Sequence, residues 1–143
     1  EHIKSFKIPK GRGQYIDANG YRIIDDTYNA NPSSMTLGLN RFNIIEVKNK
    51  KILILGDMLE LGDKNLEEHK KIGDLINNLN IDIVFTFGHH SKNIFKRLNN
   101  TYLLKEHFIR IKDLKNKFNE IVSKNDLVYI KGSRSMQLER IYS

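Results

Sequence analysis

The sequence has 143 residues, enough for one domain with a hydrophobic core of its own. Hydrophobic residues make up 39% and charged residues 29%, which is the composition of an ordinary globular protein. There is no cysteine, so disulfides and thiolate metal sites are excluded, and a reducing compartment is expected.

Charge and hydropathy narrow the range of partners. No apolar run approaches the ~20 residues of a membrane span, and no basic-then-apolar signal segment opens the chain, so no membrane partner is expected. The net charge is +7, but the lysines are scattered and no known RNA- or DNA-binding motif is present. We therefore expect no nucleic-acid partner. The first residue is Glu1 rather than Met, which indicates a piece of a longer protein.

A hairpin and several short strands are predicted along the chain. Asn19-Gly20 within GQYIDANGYRII is the strongest short hairpin signal. Later apolar stretches are continuous rather than alternating, which is typical of strands buried on both faces of a parallel sheet. These stretches are YRIIDD (21–26), KILILGD (51–57), DIVFTFG (82–88), DLVYIKGS (126–133) and, more weakly, HFIRI (107–111).

Helical periodicity fills the intervals between the strands. Asp113 is expected to cap the last of three amphipathic helices. Alternating strands and helices predict an α/β, Rossmann-like domain, with a mostly parallel sheet, helices on both faces and an N-terminal β-hairpin. The three apolar helix faces comprise Met35, Leu39, Phe42 and Ile45; Leu66, His69, Ile72, Ile76 and Leu79; and Leu114, Phe118, Ile121 and Val122.

Ligands of such sheets bind beyond the carboxyl ends of the strands, so the residues there are the first candidates for a site. Asn31 and Pro32 are explained as a helix N-cap and a first helical residue. The adjacent acids Asp25 and Asp26 have no such explanation, because they repel each other and gain nothing from burial. A carboxylate at this position suits the hydroxyl groups of a ribose.

The second strand leads into GDMLELG (56–62). Gly56 permits close approach of the backbone, Asp57 lies at the strand tip, and Glu60 follows. From these residues alone, a ligand loop and an ordinary polar connection remain equally open.

The remaining strand ends differ in their chemistry. His89 and His90 are adjacent, point in different directions and lack a third ligand, so we expect a loop with Ser91 as a helix cap rather than a metal site. The last strand ends in KGSRSM (131–136), where backbone N–H groups, hydroxyls and cations suit an anion. Arg12 adds a cation between two glycines. The chain contains no phosphate-binding P-loop.

Four stretches, in this order, resemble the C-terminal domain of the Mur ligase family: DDTYNANPSSM, ILGDMLELG, EEHKKIG and KGSRSMQLERI. The family pattern has Ser where this chain has Thr27, which keeps the hydroxyl. The resemblance runs from Gly11 to the C-terminus. The first two stretches are typical of the family member that joins D-alanyl-D-alanine to UDP-N-acetylmuramoyl-tripeptide.

This resemblance implies that residues 1–143 are one domain of a three-domain, monomeric, cytoplasmic ligase of peptidoglycan synthesis. In the family, an N-terminal domain binds the UDP-sugar, and a central domain supplies the P-loop and most of the Mg²⁺ site. The reaction uses ATP and passes through an acyl-phosphate on the tripeptide. The isolated C-terminal domain is therefore expected to be inactive.

The resemblance also implies roles for individual residues. On the ATP side, Arg12 and Asp26 match residues that contact ATP and its ribose, and Asn29 and Asn31 match asparagines of the same loop. His69 matches a family histidine, for which a core role and an interface role both stay open. The residues implied to place the dipeptide or to lie near the reaction centre are Asp57, Met58, Glu60, Lys131, Ser133 and Arg134.

Two alternatives remain from the sequence. One is a sister Mur ligase or a folylpolyglutamate-type ligase with a different incoming amino acid, against which YNANP and GDMLELG argue. The other is a non-catalytic nucleotide- or RNA-binding module. The absence of a P-loop and of stacking aromatic residues argues against that second alternative.

Overall fold

The computed structural model describes residues 8–143, which form a six-stranded sheet with helices on both faces. The predicted domain bounds of 1–143 also include residues 1–7, which lie outside the described residues. The strands are β1 Gln14–Ala18, β2 Tyr21–Asp26, β3 Lys51–Gly56, β4 Ile83–Phe87, β5 Leu104–Phe108 and β6 Leu127–Lys131. The helices are α1 Pro32–Ile44, α2 Asn65–Ile76, α3 Lys92–Arg97 and α4 Ile111–Ile121, with short 3₁₀ helices at Gly62–Lys64, Arg134–Met136 and Leu138–Ile141.

The order of the strands across the sheet is β1-β2-β6-β3-β4-β5. β1 pairs antiparallel with β2, and each remaining pair of neighbours is parallel. The predicted α/β, Rossmann-like architecture with an N-terminal hairpin is confirmed. Asn19 and Gly20 both have positive φ, at 50° and 89°, which is the backbone that a tight hairpin turn requires. Within residues 8–143, no helix is long and apolar enough to cross a membrane.

The core lies in two layers, one on each face of the sheet. β3 shows the division: Leu53 and Leu55 point into one layer, and Ile52 and Ile54 into the other. The first layer is closed by α1, α2 and α3, and the second by α4 and the C-terminal 3₁₀ helix. Because both faces are covered, the central strands are apolar throughout, as their continuous pattern predicted.

Two predicted boundaries were wrong at the far edge of the sheet. β5 begins at Leu104 rather than His107, because its first residues are exposed at the edge and carry no apolar signal. α4 begins at Ile111, with Arg110 as its N-cap residue, so Asp113 does not cap it. Asp113 instead lies in the first turn, where the helix dipole favours a carboxylate.

Smaller differences concern the other helices. Leu66 is exposed rather than part of the apolar face of α2, and Leu79 is buried but lies beyond the end of that helix. Ser91 precedes α3, but its side chain does not cap the helix. Asn31 does cap α1: its Oδ1 accepts from the Ser34 N–H at 2.9 Å, and its own N–H donates to Ser34 Oγ at 3.1 Å.

Gly56 and Gly132 lie side by side where β3 and β6 end, with Leu138 packed over both. A Cβ on Gly132 would lie 3.0 Å from the Gly56 Cα and 2.7 Å from Leu138 Cδ1. A Cβ on Gly56 would meet Leu138 Cδ1 at 2.9 Å, but would lie 3.5 Å from the nearest backbone atom, the Gly132 Cα. The two glycines thus let the C-terminal 3₁₀ helix lie directly on the edge of the sheet.

Candidate functional site

The carboxyl ends of β2, β3, β4 and β6 meet at one edge of the sheet, because these strands are parallel. β2 and β6 bring Asp26 and Lys131 into register as direct neighbours. β3 places Asp57 beside the turn that follows β4. The rim predicted from the sequence therefore forms, and it has two parts with different chemistry.

In the first part, Asp26 pairs with Lys131 across the sheet. Lys131 Nζ lies 2.8 Å from Asp26 Oδ2 and also donates to the backbone oxygen of Asn29 at 3.1 Å. Tyr129 donates its hydroxyl to the same Asp26 Oδ2 at 2.6 Å. The side chain of Lys131 is only 4% exposed, whereas that of Asp26 is 23% exposed.

These contacts leave one carboxylate oxygen of Asp26 available. Both hydrogen bonds reach Oδ2, and Oδ1 accepts none from the described part of the chain. Burial and the hydrogen bond to Asp26 raise the pKa of Tyr129, so its phenol remains a donor at any ordinary pH. Gly38 in α1 makes room for this phenol, since a Cβ there would lie 1.9 Å from the Tyr129 oxygen. Asp26 is thus held by one oxygen and presents the other.

Asp25 has a structural role, so the expectation that it gains nothing from burial was wrong. Its Oδ1 accepts from the N–H of Thr27 at 3.1 Å and from the Thr27 hydroxyl at 2.6 Å, and its Oδ2 accepts from the Tyr142 hydroxyl. Asp25 is fully buried and faces the opposite side of the strand from Asp26. It therefore fixes the loop after β2 and the C-terminus rather than a ligand.

Arg134 lines a small cavity beside this loop, and Arg12 stacks on Tyr28, another of the residues that line it. The Arg12 guanidinium carbon lies 3.9 Å from the centre of the Tyr28 ring, a cation–π contact on an exposed aromatic face. Arg134 donates to Glu139 Oε2 at 2.7 Å, and this hydrogen bond lowers the pKa of Glu139. The cavity has a volume of about 140 Å³ and is lined by Lys10, Gly11, Thr27, Tyr28, Arg134 and Glu139.

In the second part of the rim, Asp57 is buried and its contacts are with backbone groups. Its Oδ1 accepts from the N–H groups of His90 at 3.0 Å and Ser91 at 2.7 Å. The backbone oxygen of Asp57 accepts from the Ser133 N–H at 2.9 Å, and Ser133 Oγ accepts from the Leu59 N–H at 2.9 Å. Asp57 and Ser133 thus join the ends of three strands instead of facing an open cleft.

The loop that these contacts hold, residues 57–60, turns outward at its end. Met58 is fully buried, and its N–H donates to Nε2 of His69 at 3.1 Å. Glu60 is exposed and has a φ of 64°, which turns the chain sharply before Gly62. Of the loop residues predicted to place a substrate, Glu60 is exposed, whereas Asp57 and Met58 are buried.

The sequence reading missed Tyr28, Tyr129 and Glu139. Tyr129 could have been found, because it precedes Lys131 by two positions in β6 and residues so spaced share a face of the sheet. Tyr28 and Glu139 carried no comparable signal, since a turn and a 3₁₀ helix position them. A larger cavity of about 520 Å³ lies at the opposite end of the strands, between the hairpin and the start of β6, away from every predicted site residue.

A protein-family model described as "Mur ligase, glutamate ligase domain" matches residues 11–134. The chain belongs to the Mur ligase family. Among curated members it is 39% identical to the UDP-N-acetylmuramoyl-tripeptide–D-alanyl-D-alanine ligase of Bacillus subtilis, over 97% of this chain and 31% of that protein. It is 30% identical to the ligase of the same name from Rickettsia prowazekii, over 99% of this chain and 31% of that protein. The chain therefore spans about a third of these Mur ligases.

Solved structures of Mur ligases agree in fold. The MurF ligase of Thermotoga maritima in complex with ADP has a TM-score of 0.80 and 27% identity, covering 96% of this chain and 31% of that one. A MurF from Acinetobacter baumannii gives a TM-score of 0.81 at 26% identity, covering 95% of this chain and 30% of that one. The FolC protein of E. coli shares the fold at 15% identity and a TM-score of 0.66, covering 94% of this chain and 31% of that one. The MurF-type members are thus more similar in both sequence and structure than FolC is.

Proposed function

We propose that the full-length protein containing this chain uses ATP to join D-alanyl-D-alanine to UDP-N-acetylmuramoyl-tripeptide, and that residues 1–143 form its C-terminal domain. The observation that carries this proposal is the similarity to ligases of that name along nearly the whole chain. Because the chain spans 31% of the Bacillus subtilis ligase, the remaining domains of the same protein would supply the UDP-sugar site and the P-loop.

Arg12 and Asp26 are proposed as the contacts of this domain with ATP. Asp26 is preorganised by Lys131 and Tyr129, so Oδ1 can accept a ribose hydroxyl without further ordering of the side chain. Arg12, stacked on Tyr28 in the loop that follows this acid, offers a cation and an aromatic face. Asn29 and Asn31 border the same loop, but Asn31 Oδ1 is already engaged in capping α1, which leaves its amide nitrogen for a ligand.

The Mg²⁺ that accompanies ATP in this proposal is held by the rest of the protein. Mg²⁺ requires several oxygen ligands in octahedral geometry. In residues 8–143 no three His, Asp or Glu side chains converge in such an arrangement, and Asp26 is paired with a lysine instead. These residues do not fit a resident metal, so no step is attributed to one in this domain.

For the dipeptide, we propose Arg134 and the loop 57–60. Arg134 is exposed beside the rim and retains further N–H donors beyond the one given to Glu139, which suits a carboxylate. Asp57 and Ser133 act by fixing the loop, and Glu60 is the loop side chain exposed to the substrate. Lys131, buried against Asp26 and Asn29, would orient the ATP side of the reaction centre rather than touch the dipeptide.

The deciding experiment measures phosphate release from ATP by the full-length protein with UDP-N-acetylmuramoyl-tripeptide. D-alanyl-D-alanine is compared with D-alanine, L-lysine and L-glutamate as the incoming amine, and the present 143-residue chain is assayed alone as a control. Release that requires D-alanyl-D-alanine, and that is absent with the isolated chain, is the expected result.

Each alternative has its own outcome in this assay. Release with a single amino acid would move the protein to a sister ligase. In a parallel reaction with a folate in place of the tripeptide, release that requires L-glutamate would move it to the folylpolyglutamate type. Phosphate release by the isolated chain would refute the proposed division of labour between the domains.

A further inference from the structure

His69 closes a ring of hydrogen bonds beneath the loop 57–60. The Met58 N–H donates to His69 Nε2 at 3.1 Å, and His69 Nδ1 lies 2.8 Å from the backbone oxygen of Asn65. The Asn65 side chain in turn contacts Nδ1 of His90, and the backbone N–H of His90 donates to Asp57 Oδ1. The ring thus connects the start of α2, the turn after β4 and the loop after β3.

This geometry determines the protonation state of His69. A backbone oxygen only accepts, so Nδ1 must carry the proton. A backbone N–H only donates, so Nε2 must be unprotonated. Both nitrogens of the neutral ring are therefore occupied, and His69 is fully buried, so it does not touch a substrate itself. Protonation of Nε2 would set two donors against each other and break the bond to Met58.

We infer that neutral His69 is the positioning residue that holds the loop 57–60 in the conformation that accepts the incoming amine substrate. The inference rests on the proposed function, in which that loop places D-alanyl-D-alanine. The loop is otherwise tied down at Asp57 and Leu59, and the Met58 N–H is the backbone donor between those two points. Without an acceptor there, a buried N–H would be unpaired and the loop would have to move to satisfy it.

The charges around His69 oppose one another. Burial lowers its pKa, whereas the hydrogen bond to the Asn65 backbone and the nearby carboxylates of Asp57 and Glu68 favour the charged form, and His90 opposes it. The ring centres of His69 and His90 lie 5.9 Å apart. Because burial dominates, the neutral form is kept at neutral pH, and acidification would release the loop.

The test compares His69→Leu with His69→Gln in the full-length ligase. Leucine fills space but accepts no hydrogen bond, whereas the side-chain oxygen of glutamine can reach the position of Nε2. We expect His69→Leu to raise KM for D-alanyl-D-alanine roughly tenfold and to leave KM for ATP within about twofold, because one loop is released and the nucleotide contacts are not. His69→Gln should recover most of the loss.

Measuring KM for the dipeptide across a range of pH adds a test that a merely structural role of His69 would not affect. In the wild type, KM for the dipeptide should rise as the pH falls below about 6.5 toward the lowered pKa of His69. The rise should exceed any change in His69→Gln, which has no titrating group at this position. Titration of the dipeptide's own amine affects both proteins equally and cancels in the comparison. Identical profiles for the two proteins would overturn the inference.

Ile76→Ala serves as a matched control on the same helix, because Ile76 is buried in the core and lies two turns beyond His69. If His69→Leu and Ile76→Ala change KM for D-alanyl-D-alanine and KM for ATP in the same way, His69 is only a core residue and the inference fails.

Amide hydrogen exchange distinguishes this failure from that of the proposed function. Faster exchange confined to residues 57–60 in His69→Leu would support the positioning role even if the wild type proved to use another amine, and unchanged exchange would refute it.

Discussion

Asp26 and Asp57 occupy equivalent places, each at the carboxyl end of a parallel strand, yet they do different work. Asp26 is partly exposed and bonds through one oxygen to Lys131 and Tyr129. Asp57 is buried and accepts from backbone N–H groups of the turn after β4. The difference shows that an acid at this edge can either keep one oxygen open or hold the neighbouring loop through backbone hydrogen bonds. Its partners, more than its position, separate the two cases.

Asp57→Ala should have the largest effect, on stability. Its removal leaves the buried N–H of Ser91 and the partly buried N–H of His90 unpaired, so we expect the free energy of unfolding to fall by about 3 kcal/mol. Urea unfolding followed by circular dichroism measures the change. Asp63→Ala, at an exposed acid after the same loop, is the control and should leave the midpoint nearly unchanged. Equal losses in the two variants would show that Asp57 does not build the loop.

Asp26→Asn should weaken the use of ATP. Asparagine keeps an acceptor for Lys131 and Tyr129 but loses the charge on the ligand side, so KM for ATP should rise roughly tenfold in the full-length ligase. Asp17→Asn, at an exposed acid in the hairpin, is the control and should leave KM for ATP unchanged. Unchanged ATP kinetics in Asp26→Asn would show that Asp26 does not contact ATP, and the proposed difference in role between Asp26 and Asp57 would be wrong.

Arg134→Ala should have a smaller effect on the other substrate. Its contact with Glu139 is exposed and contributes little stability, so we expect a several-fold increase in KM for D-alanyl-D-alanine with KM for ATP unchanged. Glu139→Gln removes the negative charge of the partner but keeps the cation, and it should have less effect on KM for the dipeptide. A loss confined to ATP would mean that Arg134 belongs to the Asp26 part of the rim.

The smallest effect expected is on the pH dependence of stability. Burial lowers the pKa of His69 in the folded chain, so the unfolded chain binds a proton more readily. The contribution of His69 is therefore complete above about pH 6.5, and stability is lost as the pH falls below that value toward the folded pKa. Burial also lowers the pKa of His107, which therefore adds a pH dependence of the same sign. The test is the difference in the free energy of unfolding between the wild type and His69→Gln across the pH series. Parallel curves for the two proteins would contradict this expectation.

The sequence was most informative where one local rule governs the backbone. Asn19-Gly20 predicted the hairpin, Asn31-Pro32 predicted the start of α1, and continuous apolar runs predicted the buried strands. It was least informative at the edge, where β5 carries exposed polar residues and therefore no periodic signal.

The candidate site was predictable in position but not in its partners. The residues at the strand ends follow from parallel topology, so the rim was expected. Which acid faces a ligand depends on residues far away in the chain, such as Tyr129 for Asp26 and His90 for Asp57. Spacing within one segment cannot report such long-range pairings. Asp25 was misread partly for that reason, since one of its partners is the distant Tyr142, although its bonds to Thr27 are local.

The close approach of Gly56, Gly132 and Leu138 has a consequence for how this sequence can diverge. A Cβ at position 132 would lie 2.7 Å from Leu138 Cδ1 and 3.0 Å from the Gly56 Cα, so both the leucine and the neighbouring strand would have to shift to accept it. A side chain at position 56 collides chiefly with the end of Leu138. Shortening Leu138, for instance to valine, would remove that contact, so alanine at position 56 costs less stability after that change than before it. The order in which the two substitutions occur therefore affects the stability of the intermediate sequence.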